Sequence, residues 1–91
     1  MNILWDNEKN QKLIAERGLS LEIFASLILK KKYWDILKNP SRPEQKIFVI
    51  PFREYTYVVP FIIDENQNII LKTVYPSRKF HKIYGEKNET K

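Results

Sequence analysis

The sequence predicts an α+β protein with two N-terminal helices, an antiparallel sheet of about four strands and a short C-terminal helix. Up to residue 32, apolar residues recur at helical spacing between capping residues. From residue 33 to residue 75, short apolar and β-branched runs alternate with turns. The short links between these runs predict antiparallel pairing. A length of 91 residues favours one domain, taken as residues 1–85, with residues 86–91 as a disordered tail.

The first helix follows a short strand candidate at residues 2–5. Asp6 is a suitable N-cap for a helix that continues to Arg17. Gly18 then ends this helix, because glycine takes a positive φ at little cost. The helix is polar and is expected on the outside of the protein.

The second helix has stronger signals. Ser20 is a good N-cap, and Glu22 suits the positive first turn. Its buried stripe is predicted to be Leu21, Phe24, Leu27 and Ile28. The lysine run 30–32 is interpreted as complementing the negative end of this helix rather than as a phosphate site.

The strands are predicted at residues 33–37, 46–50, 55–63 and 69–75. Arg53 and Glu54 are predicted to form a turn between the second and third of them. Pro51 and Pro60 cannot donate a ladder hydrogen bond, so each predicts a sheet edge or a bulge. A last helix is predicted from the N-cap Ser77 to Gly85.

The composition narrows the possible functions. Sixteen basic and 11 acidic residues give a net charge of +5, which favours a nucleic acid or an acidic protein as partner. The absence of cysteine excludes disulfides and cysteine nucleophiles, and two glycines exclude a glycine-rich phosphate loop. One histidine and scattered acids provide no metal-ligand set, and no cofactor is expected. Without a signal peptide or a membrane-spanning run, the chain is expected to be cytoplasmic.

The segment PSRKFHKIYG, residues 76–85, concentrates the residue types that phosphodiester chemistry requires. RNA carries its own nucleophile, so a protein need only orient the strand, move a proton and stabilise charge on the phosphate. The side chains of this segment that suit those tasks are Arg78, Lys79, His81, Lys82 and Tyr84.

Helical spacing divides this segment into two faces. Phe80, Ile83 and Tyr84 are expected to pack on the sheet, and Arg78, His81 and Lys82 to lie on the opposite face. For Lys79 and Lys82, the alternative to a functional role is a basic helix face that is simply exposed to solvent. Outside the segment, Lys72 is a charge within an apolar run, and Glu54 offers a proton acceptor at the predicted turn.

Three stretches in order resemble the BrnT family of bacterial toxins: LWDNEKN at residues 4–10, ERGLSLEIF at 16–24 and PSRK at 76–79. In that family a W-D-x-x-K-N start is followed by K-H-G-[IV]-S-F-E and later by S-A-R-K. The chain departs from the pattern at Arg17, where the family has histidine, at Pro76-Ser77, which replaces Ser-Ala, and at Phe80, where it has alanine.

The resemblance implies a RelE-like fold with a curved antiparallel sheet, and a type II toxin that arrests growth as a metal-independent endoribonuclease. It also implies a cognate antitoxin with a ribbon-helix-helix DNA-binding part. In this interpretation Arg78 stabilises phosphate charge, Lys79 assists, and His81 or Glu54 handles a proton. The residues predicted to bind RNA are Lys82, Lys72, Arg53, Lys46 and Tyr84.

Two alternatives stay open. The basic surface could grip RNA or an acidic antitoxin segment without cleaving, as a binding module or a decayed toxin would. Alternatively, the chain could be a structural phage or plasmid protein whose charge serves solubility only.

Overall fold

The computed structural model describes residues 2–85, so the tail predicted at 86–91 lies outside the described residues. Its helices and strands follow each other along the chain as β1 (Ile3–Trp5), α1 (Asn7–Arg17), α2 (Leu21–Leu29), β2 (Asp35–Lys38), β3 (Lys46–Phe52), β4 (Tyr55–Ile63), β5 (Ile69–Leu71), β6 (Tyr75–Pro76) and α3 (Arg78–Phe80), followed by a π-helical turn at His81–Gly85.

The sheet has six strands in the order β1-β5-β4-β3-β2, with β6 also paired to β4. The prediction of about four strands was too low, because β1 joins the sheet and the strand predicted at 69–75 is two strands. All pairs are antiparallel except β1 with β5, which run parallel with Ile3 opposite Ile69. The sheet is therefore mixed. β1 is not part of a hairpin, because α1 and α2 separate it from the other strands along the chain.

The break between β5 and β6 is a bulge opposite Pro60. Phe61 pairs with Leu71, and Val58 pairs with Tyr75. Between these two pairs the chain advances by three residues along β4 but by four residues from β5 to β6, so the second segment has one extra residue. The Lys72 N–H donates to the Pro60 carbonyl at 2.8 Å, but proline has no N–H to return. The ladder is therefore interrupted there, which confirms the prediction for Pro60.

Pro51 was predicted to mark a sheet edge or a bulge, and the structure confirms the edge. It pairs with Thr56 on one side, and its register lies beyond the last β2–β3 pair, Asp35 with Val49. No ladder partner in β2 therefore needs the missing N–H of Pro51.

The helices α1 and α2 cover one face of the sheet. The α2 side chains Leu21, Phe24, Ala25 and Ile28 are buried against residues of β3, β4 and β5. The polar helix α1 is attached through Asn10, which is 5% exposed and whose Oδ1 accepts the Leu21 N–H at 2.8 Å. Within residues 2–85, no helix has the length and apolarity needed to cross a bilayer.

The C-terminal segment differs from the regular helix that was predicted. Ser77 is the N-cap as expected, and its Oγ accepts the Phe80 N–H at 3.2 Å. After one short α-helical turn, however, the wider π-helical turn changes which side chains meet the sheet. His81 faces β4, whereas Ile83 is 47% exposed, so the predicted division into two faces was wrong for both residues.

Candidate functional site around His81

The imidazole of His81 is held by three neighbours. Its Nδ1 lies 3.0 Å from the Oγ1 of Thr56, a residue with no exposed surface. The ring stacks on Tyr55, with centroids 4.3 Å apart and an interplanar angle of 29°. On the remaining side lies buried Gly85, where an added Cβ would overlap the imidazole. The ring therefore has one well-defined position.

Pairing with the start of β4 places the segment that carries His81. Tyr75 and Pro76 pair with Val58 and Tyr57, and the Ser77 N–H donates to the Thr56 carbonyl at 3.0 Å. The cap at Ser77 then starts the helical turn immediately above Thr56.

The contact with Thr56 is compatible with either neutral tautomer of the imidazole. Since a hydroxyl both donates and accepts, Thr56 can satisfy either tautomer at Nδ1. No other hydrogen bond from the described residues engages the ring. Nε2 is thus the nitrogen through which His81 would exchange a proton with a substrate.

Arg78 and His81 lie one helical turn apart. At this spacing their Cβ atoms are about 5–6 Å from each other. Arg78 is exposed, and no ion pair with a carboxylate of residues 2–85 neutralises it. Arg78 is therefore a neighbouring cation that no carboxylate of residues 2–85 occupies.

Lys79 and Lys82 are also exposed, but they have different surroundings. The Lys79 ammonium lies 5.5 Å from the centroid of the Phe80 ring, a cation–π contact that draws it along the helical turn. Among the described residues, Lys82 has no such contact.

The turn between β3 and β4 presents Arg53 and Glu54. Both have positive φ, 51° and 61°, and Phe52 pairs with Tyr55, so the connection is a two-residue hairpin of the I′ type. Asparagine and glycine are preferred in such turns, because an ordinary L-residue there costs about 1–2 kcal/mol.

The two turn residues differ in what they contact. The Arg53 guanidinium packs 4.9 Å from the centroid of the Phe52 ring. Glu54 is exposed and directly precedes Tyr55, which stacks on His81. The predicted turn thus brings Glu54 to the same end of β4 as His81.

Tyr84 anchors the C-terminal segment to β2. Its hydroxyl donates to the Asp35 carboxylate at 2.8 Å, and its ring stacks on Trp34 with centroids 5.9 Å apart. Burial, and then the hydrogen bond and charge of Asp35, raise the pKa of Tyr84 above its ordinary value. Its hydroxyl is therefore a proton-retaining hydrogen-bond donor.

Two of the predicted RNA-binding lysines lie away from His81. Lys46 pairs with Phe61, five residues along β4 from Thr56, or about 17 Å. Lys72 donates its N–H to Pro60, four residues from Thr56, or about 14 Å. Lys72 instead lines a cavity of about 480 Å³ together with Lys9 and Arg42.

Several residues of the site were missed by sequence reasoning. Thr56, Tyr55, Trp34 and Asp35 acquire their roles through contacts with residues distant in the chain, as with the 25-residue separation of Thr56 and His81 and the 49-residue separation of Asp35 and Tyr84. For these four residues the sequence offered one signal of a role in the site: Thr56 is a small polar residue within an apolar strand. Within residues 2–85, no group of three or more His, Cys, Asp or Glu side chains is placed to hold a metal ion.

No protein-family model matches this chain, and no curated protein sequence matches it. Among solved structures, the crystal structure of the Brucella abortus ribonuclease toxin BrnT matches with a TM-score of 0.62 and 18% sequence identity. The match covers 85% of this chain and 96% of that one. The resemblance found in the sequence is thus confirmed at the level of the fold: this chain has a BrnT-like fold.

Proposed function

We propose that this protein is a toxin that cuts RNA at the His81 site. The observation that carries the proposal is the fixed imidazole of His81, held by Thr56 and Tyr55 one helical turn from the exposed Arg78. The fold supports it, because the structural neighbour is a ribonuclease toxin.

The proposed reaction uses the 2′-hydroxyl of RNA as nucleophile. That hydroxyl loses a proton and attacks the adjacent phosphorus, the bond to the 5′-oxygen breaks, and the 5′-oxygen gains a proton. His81 moves one of these protons through Nε2, and Glu54 is the candidate for the other. Arg78 stabilises the charge on the phosphate, with Lys79 assisting. No step requires a metal ion.

The proposal includes the setting implied by the family resemblance. The protein would act in the cytoplasm, within a RelE-like superfamily, and be held inactive by a cognate antitoxin with a ribbon-helix-helix part. The net charge of +5 supports both an RNA substrate and an acidic antitoxin segment.

The test combines growth with cleavage by purified protein. Wild type, His81→Gln, Arg78→Ala and the control Lys12→Ala are induced in a bacterial host, and total RNA is run on a gel. The purified proteins are then incubated with RNA in EDTA. Lys12→Ala also removes one positive charge, but from an exposed position on α1. It therefore distinguishes the loss of Arg78 itself from the loss of one unit of net charge.

Wild type and Lys12→Ala are expected to arrest growth and degrade RNA. His81→Gln should slow cleavage about 10²–10⁴-fold, and Arg78→Ala about 10²–10³-fold, with unchanged circular dichroism. Soluble wild type that binds RNA without cutting it would instead identify a binding module. Cleavage that persists at full rate in His81→Gln would place the chemistry elsewhere.

A further inference from the structure

A second cavity lies where α2 ends and β2 begins. It has a volume of about 500 Å³. Its apolar lining comes from Leu27, Tyr33, Trp34 and Pro51, and its charged lining is the lysine run 30–32. We refer to it as the Trp34 groove.

Two contacts make the Trp34 groove a neighbour of the His81 site. Pro51 is directly opposite Thr56 in the β3–β4 register, where Cα atoms are about 5 Å apart. Trp34 stacks on Tyr84, which belongs to the same π-helical turn as His81. One residue of the groove is thus paired with the residue that holds His81, and another contacts the turn that carries it.

The lysine run directly follows α2, with Lys30 as the C-cap of the helix. α2 ends at Leu29, and Lys31 takes a positive φ of 57° while the Lys32 N–H donates to the Leu27 carbonyl at 2.8 Å. Glycine is the usual residue at such a position, yet a lysine occupies it here. Within residues 2–85, no carboxylate forms an ion pair with these lysines.

We propose that the Trp34 groove binds a nucleobase of the RNA strand next to the cleaved bond, with the lysines contacting the adjoining phosphates. The inference rests on the proposed function. An aromatic wall beside several cations is the arrangement by which proteins hold single-stranded nucleic acid, since the ring stacks on a base and the cations track the backbone. The cavity near Lys72 has cations and polar groups with one tyrosine at its wall, and it lies farther from His81.

The experiment measures binding without cleavage. The probe is a dye-labelled 2′-O-methyl RNA hexamer, which lacks the nucleophilic hydroxyl, and its affinity is followed by anisotropy. Trp34→Leu is compared with wild type. The double variant Lys30→Gln/Lys32→Gln is compared with the control Lys9→Gln/Lys12→Gln, which loses the same two charges from α1. Lys31 is not substituted, because a change at its positive φ would alter stability as well as charge, and the two effects on binding could not be told apart.

Trp34→Leu and the Lys30/Lys32 pair should each weaken binding about 10-fold, and the Lys9/Lys12 pair less than about 2-fold. Binding of the hexamer should also quench tryptophan fluorescence in wild type but not in Trp34→Phe, since Trp5 is common to both. Because the probe cannot be cut, loss of binding here is distinguishable from loss of cleavage in His81→Gln.

Three results would overturn the inference. Equal affinity for an abasic strand of the same charge would show that no base is bound. A larger loss in the Lys9/Lys12 pair would move the strand to the cavity near Lys72. Competition by a glutamate hexapeptide at equal affinity would identify a surface for an acidic protein segment.

Discussion

Replacing Gly85 by alanine should move His81 while leaving the rest of the fold in place. An added Cβ would lie 2.6 Å from Cε1 of His81, whereas carbon atoms in contact are normally about 3.5–4.0 Å apart. The imidazole must therefore shift by about 1 Å. Since Thr56 and Tyr55 hold it on the other sides, the shift breaks the 3.0 Å hydrogen bond or the ring stack.

The expected loss of cleavage is about 100-fold, the size of effect that a 1 Å misplacement of a reacting group produces. The free energy of unfolding should change little, because alanine favours a helical conformation over glycine by up to about 1 kcal/mol, and the lost hydrogen bond costs about as much. The protein has one histidine, so its single imidazole NMR signal set reports the movement without assignment ambiguity.

The other glycine provides the matched control. A Cβ added at Gly18 would meet no atom within 4 Å, but the φ of this residue is +65°. Gly18→Ala should therefore lower the free energy of unfolding by about 1 kcal/mol, or roughly 4–8 °C in Tm, and leave cleavage unchanged. An unmoved imidazole signal in Gly85→Ala would refute the predicted overlap. A moved signal with full cleavage would refute the role of His81.

Three further changes test other features. Replacing Arg53-Glu54 by Asn-Gly should raise the free energy of unfolding by about 1–2 kcal/mol, measured in urea, because the turn requires positive φ at both positions; an unchanged midpoint would contradict this. The pKa of Tyr84 is raised by burial and by Asp35, so the stability from their contact is present below the ordinary tyrosine pKa and is lost as pH rises through the raised value. Tyr84→Phe should therefore lose less stability than wild type above about pH 10. Backbone N–H donation from Asn68 lowers the pKa of Asp64 most, so its stabilisation is present above the ordinary Asp range and is lost as pH falls through the lowered value. As the pH is lowered into the acid range, the free energy of unfolding should therefore fall less steeply in Asp64→Ala than in wild type. Equal slopes for the two proteins would contradict this.

Local signals in the sequence determined where most elements begin and end. Asp6 and Ser20 accept hydrogen bonds from the backbone N–H groups of their first turns, and Gly18 takes the left-handed conformation predicted for it. The turn at Arg53-Glu54 and the bulge at Pro60 were predictable for the same reason, since a cap, a turn or a missing N–H acts over a few residues.

The tertiary structure decided the arrangement of the site. Sequence spacing identified Arg78 and His81 as candidates, but a regular helix would have turned His81 away from the sheet. The contacts that hold it, to Thr56 and Tyr55, join residues about 25 positions apart, and Tyr84 meets Asp35 across 49 positions. Only the pairing of β6 with β4 and the wider π-helical turn bring these groups together, because side-chain periodicity predicts which residues share a face and not which face meets the sheet.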